Sequence, residues 1–174
     1  VDSIVGVEAN PRTFQRLRLN VLMNQCHNAR IFNYAASDSA GSIEFVMNRA
    51  NSGASKRMPL VKNEIYFYDQ PEITQVPSVA LDELLPHELF DLVFMDIEGS
   101  ELFAMRGMPR ILAAAKVVFA EFYPFMVREV AGASVKEFLE PLQAFNTLII
   151  PSLRKAVHKE DFHAALQDMF DRNH

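Results

Sequence analysis

Three short apolar runs, each ending at a carboxylate, constrain what this chain can fold into. Ser3 to Val7 leads into Glu8, Phe90 to Met95 into Asp96, and Val117 to Ala120 into Glu121. Their length and β-branched content fit buried strands. The first is followed by Asn10 and Pro11, an N-cap and first-turn pair that predicts a helix to about Gln25. On that helix Phe14, Leu17, Val21 and Leu22 share one face. The second run leads into a helix over Gly99 to Ala115, with Leu102, Met105, Ile111 and Leu112 available to the core. Gly107 and Pro109 are positioned to kink it. Strands alternating with helices imply right-handed crossovers and an α/β fold on a mostly parallel sheet.

Between these runs the pattern is less regular. Ala29 to Ala35 reads as a strand, Asp38 to Gly41 as a turn, and Ser42 to Met47 as a strand hairpinned to it. Asn48 to Pro59 is a polar loop long enough to suspect a functional role. Leu60 to Val79 carries Tyr66, Phe67, Tyr68 and two prolines, and predicts irregular structure with a short strand near Val76. Tyr66, Phe67 and Tyr68 read as core aromatics, or as one wall of a pocket. Towards the C-terminus, Ser134 to Phe145 reads as a helix, Thr147 to Ile150 as a short strand, and Asp161 to Phe170 as an amphipathic helix. At 174 residues, with no repeat and no low-complexity tract, residues 1–174 are expected to form a single, partial domain.

Composition narrows the partners. A net charge of −5 weighs against a nucleic-acid partner. No apolar run approaches the roughly 20 residues of a membrane span. The lone Cys26 excludes an internal disulfide and fits a reducing, cytoplasmic setting.

The candidate site lies where ligands bind in open α/β sheets, beyond the carboxyl ends of the strands. Glu8 suits the two hydroxyls of a ribose, and equally suits the dipole of the helix that follows. Ser37 and Asp38 suit the edge of a flat base, but Ser-Asp-Ser-Ala-Gly is also good hairpin chemistry. Asp96, Glu98 and Glu101 crowd six residues. The helix dipole accounts for Glu101. It does not account for Asp96, which at a buried strand end needs partners or a function. Glu121 repeats the pattern one strand later. Asp96, Glu98 and Glu121 would also suit an oxygen-binding cation, but the histidines offer no ligand spacing, and no metal is expected.

In order and spacing, these blocks resemble the FkbM-type methyltransferases. Val5 to Pro11 (VGVEANP) is similar to that family's acid and Asn-Pro after its second strand. Leu17, Asn20 and Asn24 match its helix, and Asn33 to Phe45 resembles its A-x-S-D-x-x-G block. Val79 to Asp82 resembles its T-L-D, with Ala80 in place of Thr. MDIEGSEL and Met105-Arg106-Gly107 resemble D-x-E-G-x-E-x-x-x-L-x-G, with Met105 in place of Leu. The resemblance implies a Rossmann-like class I methyltransferase fold, S-adenosyl-L-methionine as cofactor, and a hydroxyl on a small molecule, sugar or lipid as acceptor. It implies that Glu8, Asn10, Ser37, Asp38 and Asp96 bind the cofactor, and that Asp96, Glu98 and Glu121 face the chemistry. The family's first strand and glycine-rich loop have no counterpart here. The chain is therefore expected to be part of a longer protein, in which cofactor binding would be clear; in this stretch alone it would be weak. The alternative is a Rossmann-like module that has lost cofactor binding. Without its first strand the sheet should either open or close up by pairing the strands that end at Glu8 and Asp96.

Overall fold

The computed structural model describes residues 1–172. Strand β1 (Ile4–Val7) runs into helix α1 (Pro11–Met23), and β2 (Ala29–Phe32) returns parallel to β1, Ile4 opposite Ala29. Asn10 caps α1 as its sequence predicts, its side chain accepting from the Arg12 and Thr13 N–H groups. The apolar face of α1 is only partly covered: Phe14, Leu17 and Val21 are half-buried, while Leu19, Leu22 and Met23 are exposed.

The chain then builds a mixed sheet from β3 (Ala35–Ala36), β4 (Gly41–Met47), β5 (Lys56–Arg57) and β6 (Glu72–Val79), in the order β3-β6-β4-β5. This corrects the expected hairpin. β4 does not pair with the strand before it but lies antiparallel to β6, Gly41 opposite Ser78 and Met47 opposite Glu72. The segment expected to be irregular thus supplies an eight-residue strand. Pro77 hides it in the sequence, since proline cannot donate to a ladder. Here β3 reaches only Ser78 and Val79, so Pro77 has a neighbouring strand on one side only.

After α2 (Leu81–Leu84), β7 (Leu92–Met95) leads through a turn into α3 (Glu101–Arg106) and α4 (Pro109–Ala114). The single kinked helix expected here is two helices, because Pro109 starts the second one just after Gly107 caps the first. β8 (Val117–Ala120) pairs parallel with β7, Met95 opposite Ala120. Helix α5 (Pro124–Glu129) was not foreseen. α6 (Val135–Leu139) is shorter than expected and opens with a capping box between Ser134 and Glu137. β9 (Thr147–Ile150) and β10 (Lys155–His158) form an antiparallel pair before α7 (Phe162–Arg172).

The main core lies beneath β7. Leu102, Met105, Met108, Ile111 and Leu112 from α3, α4 and their junction pack with Val135 and Phe138 of α6 and Leu166 of α7. The expected core positions on α3 and α4 are all buried.

The architecture is α/β, but its parallel strands do not form one continuous sheet. β1 pairs only with β2 and β7 only with β8. Between β1 and β7 lies an apolar gap of about 150 Å³, lined among others by Val5 and Val7 on one side and Phe94 and Met95 on the other. Of the two outcomes foreseen for a sheet lacking its first strand, the open one is observed. The outer face of the β7–β8 pair is also bare: Leu92, Phe94, Val117 and Phe119 are exposed, with the Phe94 and Phe119 rings stacked at 4.8 Å.

Candidate active site

A cavity of about 410 Å³ opens at the carboxyl ends of β1 and β7. That is within the usual range for a small-molecule site. Glu8, Asp96 and Glu98 line it together, although they are far apart in sequence. Ala35 and Ala36 form part of its wall, and Asn51, Ser52, Gly53 and Ser55 come in from the polar loop before β5. The loop that the sequence marked as a candidate thus forms part of the cavity wall. Asp69 holds the loop's near end, accepting from the Arg49 and Ala50 N–H groups at 2.6 and 2.8 Å.

Glu8 follows directly on β1. One carboxylate oxygen accepts the Asn10 N–H at 2.7 Å. Burial raises its pKa, and that hydrogen bond lowers it in part. Nearby, the Thr13 hydroxyl also lines the cavity and is buried without a hydrogen-bond partner among the described residues. Such an orphaned group marks a place where a ligand atom would be satisfied. Tyr34 lines the same wall.

Asn10 is 3% exposed and does not line the cavity. Its side chain is committed to the α1 cap and to a 3.2 Å bond donated to Ser55 Oγ. Ser37 is also buried; its hydroxyl donates to Asp38 at 3.0 Å and accepts from Arg57 at 2.7 Å. Neither Ser37 nor Asp38 lines the cavity, though both follow Ala36, which does.

Beyond β7 the structure redistributes the roles expected of the three acids. Asp96 is exposed, not buried: it lies one residue past the last paired position and shares strand parity with Leu92 and Phe94, which are exposed as well. Among the described residues it makes no hydrogen bond or ion pair with another side chain. Glu101 is the buried acid, 2% exposed, and it accepts the Ile97 N–H at 2.8 Å. It therefore does more than favour a helix dipole: it braces the turn between β7 and α3. That turn needs bracing, because Glu98 and Gly99 have φ of 56° and 88°, and the Ser100 N–H closes back on the Ile97 carbonyl at 3.3 Å. Two successive positive φ values are the pattern of a type I′ turn, which a glutamate adopts only at a cost. Gly99 is required for space as well: a Cβ there would lie 2.9 Å from the Cβ atoms of Met126 and Val130 on α5 and just after it.

Burial pushes the Glu101 carboxyl up to about 7 from its ordinary 4.5, against the Ile97 hydrogen bond. The folded chain then binds this proton more tightly than the unfolded chain does. The resulting stability is fully present below about pH 4.5 and is lost as the pH rises through 7. The loss is on the order of 3 kcal/mol. Glu101→Gln keeps the acceptor and removes the titration. We expect its denaturation midpoint to match wild type at pH 4 and to exceed it at pH 8. Parallel midpoint-versus-pH curves for the two proteins would show that Glu101 is already ionised in the fold.

Glu121 does not line the cavity but sits beside it, its N–H bonded to the Met95 carbonyl at 3.1 Å. Burial raises its pKa, and the charges of Asp96 and Glu98 raise it further. Strand pairing thus brings Asp96, Glu98 and Glu121 together, as their positions in the sequence predicted. Sequence reasoning missed Lys56, whose buried ammonium lies 3.6 Å from Glu98 Oε2. A lysine in a polar loop carries no local signal of burial. Among the described residues no group of three or more His, Cys, Asp or Glu is placed to hold a metal ion.

In this α/β chain an acid after the first strand and a second acidic group after a later parallel strand thus meet at one cavity. Residues 2–170 match the model of the methyltransferase FkbM domain, which covers nearly the whole chain. The chain belongs to the FkbM methyltransferase family, and its resemblance in sequence is thereby confirmed. No curated protein and no solved structure matches it significantly. No helix among the described residues is long and apolar enough to cross a membrane.

Proposed function

We propose that this chain carries the nucleoside-binding and acceptor-facing part of an S-adenosyl-L-methionine-dependent methyltransferase acting on a hydroxyl oxygen of a small molecule, sugar or lipid, in the cytoplasm. The observation that carries the reading is the meeting of Glu8, Asp96 and Glu98 in one cavity at the strand ends, with the orphaned Thr13 hydroxyl on its wall. These residues fit a nucleoside: Glu8 has a second carboxylate oxygen for the ribose hydroxyls, and Thr13 offers a further polar contact. Asp38, exposed just past the small Ala35-Ala36 wall, is assigned to the adenine edge, with Ser37 orienting it. Asn10 acts indirectly, holding α1 and Ser55 in place around the cavity.

The cofactor supplies the methyl group on a sulfonium sulfur, for in-line displacement by the acceptor oxygen. The protein's part is to align the two reactants, exclude water and accept the hydroxyl proton. Asp96 is assigned as the base or as the acid orienting the cofactor, and Glu98 and Glu121 as the acceptor side. We further propose that residues 1–174 form one partial domain, and that the gap between β1 and β7 receives another parallel strand from outside it. The same gap favours a second reading, a module that does not bind the cofactor by itself.

Calorimetric titration of S-adenosyl-L-methionine separates the two. A longer form that fills the gap is expected to bind it clearly, and residues 1–174 weakly. In the longer form Glu8→Ala should weaken binding on the order of 100-fold, the value of about two charge-assisted hydrogen bonds. Its stability should fall by about 1 kcal/mol or less. Equal affinity in the variant would remove Glu8 from the ribose site, and absence of binding in every form would favour the module.

A further inference from the structure

β5 is only two residues long, and both are cations. Strand alternation sends them to opposite faces. Arg57 goes to the cofactor side, donating to Ser37 Oγ and lying 4.0 Å over the Phe103 ring. Lys56 goes to the acid cluster. It is 5% exposed, its Nζ is 3.6 Å from Glu98 Oε2, and it lies 5.2 Å over the Tyr66 ring. Lysine is almost never this buried unless paired. Tyr66 is itself buried against Phe125 of α5, the element that packs on Gly99. The lysine is therefore wedged between the left-handed Glu98 and the wall behind it.

We propose that Lys56 is a positioning residue for the transfer, its ammonium holding the Glu98 carboxylate at the acceptor side of the cavity and offsetting the charge of Glu121 beside it. The proposal rests on the methyltransferase reading for what Glu98 does, but not for the clamp itself. The groups facing Lys56 and Glu121 are Asp96 and Glu98 on the turn, Glu101 at the start of α3, Tyr66 with Glu129 behind it, and Tyr123 before α5. The pair is reciprocal: burial lowers the Lys56 pKa while Glu98 and then Glu121 raise it, and Lys56 in turn lowers that of Glu121. Glu98 and Glu121 can share this small region because a buried cation faces both.

The test is a titration without cofactor. Protein labelled with carbon-13 in glutamate and lysine is followed by NMR as a function of pH, with Glu121→Gln assigning the Glu121 signal. Lys56→Met should move the Glu121 midpoint upward, and Lys56→Arg should return it close to wild type. Glu98→Gln should move the Lys56 midpoint downward. A lysine that merely fills space predicts that methionine suffices and that Glu121 does not move; that result overturns the proposal. So does an unmoved Lys56 in Glu98→Gln. This last variant, at a half-buried residue, decides between the two where Lys56→Met fails to fold. Because no step needs S-adenosyl-L-methionine, failure of the clamp and failure of the methyltransferase reading are separate results.

Discussion

Gly107→Ala is expected to destabilise the chain by roughly 3 kcal/mol or more, at the upper end of what overpacking costs. The reason is space rather than backbone freedom, since Gly107 has an ordinary φ of −85°. A Cβ at this position would lie 1.9 Å from the Ser37 carbonyl oxygen and 3.1 Å from the Ala80 Cα. Both neighbours are backbone, so no side chain can swing aside. Gly107 also ends α3, its N–H bonding back to Phe103 and Ala104, while its carbonyl accepts the Asp82 N–H at 3.0 Å. Moving it disturbs α2, α3 and the Ser37 segment together. In a domain of this size such a loss lowers Tm by roughly 6–12 °C. Thermal or urea unfolding checks the prediction, and a variant as stable as wild type would mean that the α3 terminus stands clear of Ser37 in solution. The closing glycine of the D-x-E-G-x-E-x-x-x-L-x-G pattern thus has a physical reason: it lets the acid-bearing helix pack onto the proposed base-binding segment.

How far the site was legible in the sequence follows from the range of each contact. Glu8, Asp96 and Glu121 could be placed because a buried strand and the acid that ends it are adjacent in the chain. The local pattern alone puts them at the carboxyl ends of their strands. The depth of the acids could not be read this way. Asp96 looked buried because Leu92 to Met95 are apolar, yet the face it shares with Leu92 and Phe94 is the exposed one. Glu101 looked like an ordinary helix-start charge, yet the reversal at Glu98 and Gly99 brings its carboxylate back onto Ile97. Lys56 was beyond reach, because its partner is more than forty residues away. The pairing of β4 with β6 across the long loop was missed for the same reason, compounded by Pro77. Helices with strong local signals, such as the Asn10-Pro11 start of α1, were placed within two residues.

Asp96→Asn is expected to lower methyl transfer by two to four orders of magnitude, the range lost when a general base is removed. The exposure of Asp96, which overturns its expected burial, makes this a cleaner experiment. Among the described residues the side chain makes no hydrogen bond to lose, and it lines the cavity that holds Glu8 and Glu98. The isosteric amide should therefore leave thermal stability within about 0.5 kcal/mol of wild type, as for other exposed sites. It also removes a charge that raises the Glu121 pKa, so Glu121 should ionise more readily in the variant. The assay measures S-adenosylhomocysteine formed from S-adenosyl-L-methionine with a panel of hydroxyl acceptors, in the longer form that binds cofactor. Two roles give different signatures. A base lost from the transition state lowers kcat with cofactor affinity unchanged, whereas a cofactor-orienting acid raises the cofactor Kd as well. Unchanged turnover would move the chemistry away from Asp96 and leave Glu98 or Glu121, the two acids that Lys56 faces, as the groups to test next.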